Sequence, residues 1–150
     1  MDKDDTRRVS KVIVTYNSKL LLLLPKNKQK WHLPGGHIKK DETFIQGAKR
    51  EVHEETNLTI ISLTSVYRMN KFELFFCKTS TNNVTLSDEH RTFKWVLPDE
   101  ALNKMQITRE TKRDLLEAIN KKMIKLPSKI TVPIKKKSQD DVELDELGDK

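Results

Sequence analysis

The stretch from Pro34 to Asn57 constrains this chain more than any other. Pro34-Gly35-Gly36 is a strong breaker that ends whatever regular structure precedes it. Thr43 is a good helix N-cap and Gln46, three residues on, completes a capping box, so the pattern predicts a helix over Phe44–Thr56. Asn57 stands where such a helix ends in the left-handed conformation, which asparagine tolerates better than most residues. On this helix Ile45, Ala48 and Val52 share one face, with Phe44 at its margin, and form an ordinary core stripe. Beside the stripe, Glu51, Glu54 and Glu55 fall within an arc of about 100°, at spacings of three and four residues. Gly47 lies one turn before Glu51 on the same side, where a missing side chain leaves room for a ligand.

That carboxylate patch is unfavourable for an isolated helix. Glu51 faces both Glu54 and Glu55, and each like-charge pair costs roughly 0.2–0.5 kcal/mol. The acids sit in the last two turns, where the helix dipole disfavours negative charge by roughly 0.3–1 kcal/mol each. Arg50 can reach Glu54 one turn on, in the weaker of the two orientations. A solvated acidic face is one reading. A divalent cation, which would turn these repulsions into attraction, is the other, and oxygen-only ligands favour Mg²⁺ or Mn²⁺ over zinc.

The flanking segments supply strands. Val9–Tyr16 and Lys19–Leu24 read as a hairpin turning at Asn17-Ser18. Trp31–Leu33, Leu58–Tyr67, Phe72–Lys78 and Thr92–Val96 are further strand candidates, with Thr79–Asn83 a turn and Leu86–Arg91 a surface loop. A second helix is expected over Arg109–Ile124, capped by Thr108 and striped by Leu115, Leu116, Ile119 and Met123. Strands interleaved with two helices imply an α/β fold with a mixed sheet between helical layers.

Composition narrows the function classes. The 150 residues make one domain's worth of chain. The longest apolar run, Leu20–Leu24, is far short of the ~20 residues that span a bilayer. The charged N-terminus lacks a signal-peptide pattern, and the single cysteine, Cys77, can form neither an internal disulfide nor a cysteine metal site. A cytoplasmic protein without membrane contact is expected. The net charge of +7 is uneven: residues 121–137 hold seven lysines and no acid, whereas residues 138–150 hold six acids. A basic body suits phosphate-bearing partners, or keeps the protein soluble. Residues 127–150 read as a basic-then-acidic flexible tail behind a domain of residues 1–126.

Read together, the residues give Gly36-x5-Glu42-x7-Arg50-Glu51-Val52-His53-Glu54-Glu55-Thr56-Asn57-Leu58. This string resembles the signature of the Nudix hydrolases, Gly-x5-Glu-x7-Arg-Glu-(aliphatic)-x-Glu-Glu-x-Gly-(aliphatic). Eight of its nine specified positions match over 23 residues. The departure is Asn57 in place of glycine, and both residues accept a left-handed helix end. The order of elements around it also fits the family, over roughly residues 7–124.

The resemblance implies a Nudix-like α/β/α sandwich and hydrolysis of a nucleoside diphosphate linked to another moiety, by a metal-activated water. It implies Glu51, Glu54 and Glu55 as Mg²⁺ ligands, with the Gly35 carbonyl as a fourth, and Gly35, Gly36 and Arg50 against the substrate. Arg50 would orient a carboxylate, most simply Glu54. Glu42 would support the loop or the metal's outer shell. The general base is either a signature glutamate or a carboxylate on a later loop. There Glu89 is the first choice, ahead of Asp88 and His90. His32 and His37 flank the glycines and could touch phosphate, while Tyr16, Tyr67, Phe72 and Phe93 are candidates for base stacking. The expected substrates are ADP-ribose, dinucleoside polyphosphates or FAD-like conjugates. The alternatives are RNA 5′ ends and nucleoside triphosphates, and a homodimer is expected from the relatives.

Overall fold

The computed structural model describes residues 7–127. The tail reading falls almost wholly on residues outside that range. Strand β1 (Val9–Tyr16) and strand β2 (Lys19–Pro25) form the expected hairpin. Asn17 and Ser18 both carry positive φ (51° and 67°), the two-residue turn whose twist suits a hairpin. Then β3 (Gly35–His37) precedes helix α1 (Phe44–Thr56), followed by β4 (Thr64–Met69), β5 (Phe72–Lys78) and β6 (His90–Val96). Helices α2 (Pro98–Lys104) and α3 (Arg109–Asn120) close the order. The sheet runs β4-β5-β1-β2-β6, with β1 parallel to β5 and the other pairs antiparallel.

Alternation along β1 and β2 builds two cores. Val12, Val14, Leu21 and Leu23 face one side and pack with Phe44, Ala48 and Val52 of α1. Ile13, Leu20 and Leu22 face the other and pack with Ala101, Leu102, Leu115 and Ala118 of α2 and α3. The run of leucines in β2 thus reflects a central strand buried on both faces. Each fully buried leucine contributes about 2 kcal/mol.

One irregularity shapes the site. After the hairpin turn β2 leaves β1 within two residue pairs, Thr15↔Leu20 and Tyr16↔Lys19. The edge of β1 that β2 vacates is taken by β3, pairing Val9↔His37, Ser10↔Gly36 and Lys11↔Gly35. Trp31–Pro34 fills the wedge between them. His32 bridges to Leu23, and the Val12 N–H donates to the Pro34 carbonyl at 3.0 Å.

Several expectations need correction. Trp31–Leu33 makes only isolated bridges, and the strand lies at Gly35–His37 instead. The β4 strand starts at Thr64, not Leu58, because Leu58 and Ile60 plug the core under the end of α1. Ile45 is 44% exposed whereas Phe44 is buried, so the core stripe of α1 is Phe44, Ala48 and Val52. Gly47 leaves no room for a ligand: a Cβ there would lie 3.0 Å from Ile38 Cγ1. The third helix ends at Asn120, and α2 was not expected at all.

Two glycine-like positions can be tested together. Gly35 has φ +129°, and a Cβ there would overlap the Ser10 carbonyl and sit 2.8 Å from Lys11 Cα. Asn57 carries φ 63° in open left-handed geometry and donates its N–H to the His53 carbonyl at 2.8 Å. Gly35→Ala is expected to lose at least ~2 kcal/mol in urea unfolding, while Asn57→Gly changes stability by less than about 1 kcal/mol.

Candidate active site

Helix α1 is fixed at its start by the capping box. Thr43 Oγ1 accepts from the Gln46 N–H at 3.1 Å, and Gln46 Oε1 accepts from the Thr43 N–H at 2.9 Å. Its inward stripe of Phe44, Ala48 and Val52 continues into Glu55, which is buried. Glu55 Oε1 accepts from the Gly35 N–H at 2.8 Å, tying the helix to the glycine loop. Burial pushes the Glu55 carboxyl up to about 7, against the pull of the Gly35 N–H and Lys11; Glu51 and Glu89 push it further up. Glu51 is half-buried over Gly36, where an added Cβ would meet its Oε1 at 3.0 Å. Glu54 is the outermost of the three, with a side chain 54% exposed.

Arg50 organises these acids differently from expectation. Its strongest partner is Glu42, met by Nε at 2.6 Å and Nη2 at 3.0 Å in a two-pronged pair. Nη1 reaches Glu51 at 3.2 Å and Glu54 at 3.1 Å, and Nη2 also donates to the His37 carbonyl. Glu42 accepts from the Lys39 N–H as well, and Arg50 beside it holds its carboxyl below the usual range. Glu42 is therefore the anchor of the loop, and Arg50 spans the loop and both exposed glutamates.

On the opposite wall lies a chain of polar groups in the β1–β2 wedge. Lys11 Nζ spends all three of its hydrogens, on His32 Nδ1 (3.1 Å), the Leu33 carbonyl (3.1 Å) and the Gly35 carbonyl (3.3 Å). Since His32 Nδ1 accepts, its Nε2 carries the hydrogen and donates to His90 Nε2 at 3.1 Å, leaving His90 Nδ1 to donate toward Ser87 Oγ. Burial, with Lys11 and His90 adjacent, pushes His32 down to about 3, so the pair stays neutral. His90 Nε2 is 4.0 Å from Glu55 Oε2.

The loop carrying Glu89 does reach this wall. The Ser87 N–H donates to the Glu55 carbonyl and the Thr85 N–H to that of Thr56, satisfying the last turn of α1. Asp88 and Glu89 are exposed at its edge, whereas His90 is buried. His37 and His53 are exposed. Tyr16 pairs with Trp95 and Tyr67 with Phe72, ring centroids 6.0 Å and 5.8 Å apart. Cys77 is buried in β5, its thiol pushed up to about 12 by burial.

Two residues escaped sequence reading. Lys11 is a polar residue at an inward position of β1, and Asp114 is a carboxylate on the buried face of α3, with Thr111, Leu115 and Ala118. That face is the inner one, with the expected Leu115 at its core and Leu116 and Ile119 packed partly buried at its margin, and a polar residue at its centre was the available signal. The Tyr67 O–H and Arg113 Nε donate to Asp114 Oδ1 at 2.7 Å and 3.1 Å.

The donor set of Glu51, Glu54, Glu55 and the Gly35 carbonyl is all oxygen, which suits a hard divalent cation. Among the described residues no three His, Cys, Asp or Glu side chains converge on one point. The fit is therefore one of donor chemistry: a carboxylate raised mainly by burial, and further by Glu51 and Glu89, is what an added cation would relieve.

A family model described as the NUDIX domain matches residues 6–119. The chain belongs to the Nudix family. It is 34% identical over 103 residues to a MutT-like protein of Streptomyces ambofaciens, covering 65% of this chain and 67% of that one. It is 31% identical over 75 residues to an 8-oxo-dGTP diphosphatase of Buchnera aphidicola, covering 45% and 60%. This Nudix chain thus spans about two thirds or less of those relatives' length in the matched region. The NUDIX domain of Shewanella oneidensis NrtR, solved with ADP ribose, superposes with a TM-score of 0.66 at 17% identity, over 81% of this chain and 93% of that one. That likeness establishes the fold, the α/β/α Nudix sandwich. Among the described residues no helix is long and apolar enough to cross a membrane.

Glu55 gives a pH test. Folding raises its pKa, so the folded protein holds the proton between the ordinary glutamate range and about 7, and stability is lost as pH climbs through that window. Without added metal the melting temperature should fall between pH 5 and 8, and Glu55→Gln should melt several degrees higher at pH 8 with a flatter profile.

Proposed function

We propose that this Nudix protein is a Mg²⁺-dependent pyrophosphohydrolase that cleaves the diphosphate linkage of nucleoside diphosphate derivatives. The observation that carries the reading is the joined set on α1 and the glycine loop. Glu55 is held by the Gly35 N–H, while Glu51 and Glu54 are held by an Arg50 that Glu42 anchors. Glu51, Glu54, Glu55 and the Gly35 carbonyl would hold Mg²⁺, with Mn²⁺ a substitute. A cation bound there supplies phosphate charge neutralisation and a water of lowered pKa.

The chain's own groups do the rest. Arg50 fixes the direction of two carboxylates, and the Gly35 N–H fixes the third. Gly35 and Gly36 let the loop backbone approach the phosphates closely. Glu89, exposed on the loop that docks against the end of α1, is the general base in this reading. Its charge acts on Glu55 across the site. The catalytic set is then Glu51, Glu54, Arg50 and Glu89. No nucleophilic serine or cysteine is required, because phosphoryl transfer to water asks mainly for positioning and charge.

Within the substrate class, the 8-oxo-dGTP diphosphatase names of two relatives favour nucleoside triphosphates over ADP-ribose, dinucleoside polyphosphates and FAD-like conjugates. RNA 5′ ends, which the lysines of residues 121–137 would assist, rank behind both. A cytoplasmic setting and a homodimer belong to the same reading.

The test is product release from GTP, ADP-ribose, a dinucleoside polyphosphate, FAD and 5′-triphosphorylated RNA, with and without Mg²⁺. Turnover is expected to need the metal and to fall by about 100-fold or more in Glu54→Gln. Metal-independent turnover, or a Glu54→Gln variant as active as the parent, contradicts the reading. An inactive wild-type protein that still binds nucleotide would indicate a sensor instead.

A further inference from the structure

The α3 side of the sheet carries a hollow at each end of β1. At the Lys11 end is a cavity of about 620 Å³, lined by Lys11, His32 and Asp114, which adjoins the carboxylates and belongs with the site already described. At the other end, around Thr15, is a second cleft of about 530 Å³. Lys11 and Thr15 share one face of β1 four residues apart, about 13 Å along the strand, so the two hollows are separate places. The volume of the second lies in the range of small-molecule sites.

This far cleft is created by the way α3 ends. The Lys122 N–H donates to the Ile119 carbonyl and the Met123 N–H to that of Ala118, both at 2.9 Å, while Lys122 takes φ 63°. Such a pair of bonds around a left-handed residue reverses the chain beyond a helix, and here a lysine occupies the position that glycine usually fills. The reversal brings Met123 and Ile124 into the same apolar cluster as Phe76 of β5, and these three form the floor of the cleft. The rim above is polar and positive. Lys78, at the end of β5, and Lys125, just past the reversal, bring two ammonium groups, and Ser18 and Thr79 bring hydroxyls. No acidic side chain lines the cleft, and among the described residues neither lysine is held in an ion pair.

We propose that this cleft is a second ligand site, apart from the nucleotide site, and that it takes a small organic anion: an apolar body bearing one carboxylate. The body would cover Phe76, Met123 and Ile124, and the carboxylate would lie between Lys78 and Lys125. Both halves of the ligand are needed. A bare anion leaves the apolar floor in water, and a neutral apolar molecule leaves two like charges facing each other without a counter-charge. The site does not depend on the hydrolase reading, since none of its residues belongs to α1 or the glycine loop.

The test is a titration of the full ¹⁵N-labelled chain with 2-naphthoate, followed by amide NMR, with 2-naphthamide and inorganic phosphate alongside. Saturable shifts are expected at Thr79, Met123 and Lys125 and not at Gly35 or Gly36. Naphthamide, of the same shape without the charge, should bind about fivefold or more weakly, and phosphate should leave the cleft amides unmoved. Lys78→Gln combined with Lys125→Gln should weaken naphthoate by about fivefold or more and leave naphthamide as it was. Lys28→Gln combined with Lys30→Gln, on the wall of the Lys11 cavity, should bind naphthoate as the wild type does. The proposal is overturned by an absence of saturable shifts at the cleft, by shifts centred on Gly35 and Gly36, or by equal affinity for naphthoate and naphthamide. An affinity that survives the Lys78 and Lys125 changes overturns it too. Shifts produced by phosphate alone would mark a plain anion site, and cleft shifts that follow protein concentration without any probe would mark a second copy of the chain; either result also overturns it.

Discussion

Gly35 touches three parts of the molecule at once. Its φ of +129° and its contact with the Ser10–Lys11 backbone bring the loop against β1 more closely than any side chain would permit. From there its N–H holds the Glu55 carboxylate and its carbonyl holds the Lys11 ammonium. The helix with the acids and the cavity with Asp114 therefore share one peptide as their common reference. This closeness depends in turn on β2 leaving β1 early, which frees an edge of β1 for a strand of only three residues.

Around that peptide the charges are arranged as a graded set. Glu42 is clamped by two arms of Arg50 and held ionised, Glu51 and Glu54 receive the third nitrogen, and Glu55 is buried with a single N–H donor. The energetic cost of gathering four carboxylates is offset by one guanidinium and, in the function proposed, by a divalent cation. The neutral His32–His90 pair completes the wall without adding charge.

Much of this was legible in the chain because it is local. Helix α1 runs over the residues its capping box predicts, and Asn57 adopts the left-handed end expected of it. Strands β1 and β5 follow their apolar patterns, and the signature glutamates gather at the end of α1. What stayed hidden is set by distant contacts. The β3 strand begins with two glycines, which carry no strand propensity, and exists only because β1 offers an edge. Arg50 was matched to Glu54 by helical spacing, but Glu42 precedes the helix and is brought alongside by the loop. The choice of Phe44 over Ile45 for the core depends on which strands lie beneath α1. Helix α2 is short, although Pro98 at its first position and Asp99 and Glu100 in its first turn are the ordinary marks of a helix start. Lys11 and Asp114 are polar residues on inward faces, and only the cavity shows what they face.

The claim on which the account turns is that the acids of α1 form a cation site whose geometry is set from outside by the Glu42–Arg50 pair. Mn²⁺ titration followed by electron paramagnetic resonance reads this directly, without substrate. The wild-type protein should bind Mn²⁺, and Glu42→Gln, which removes no proposed ligand, should weaken binding by about 10-fold or more. A wild-type protein that leaves Mn²⁺ free in solution, or a Glu42→Gln variant that binds it equally well, would contradict the account.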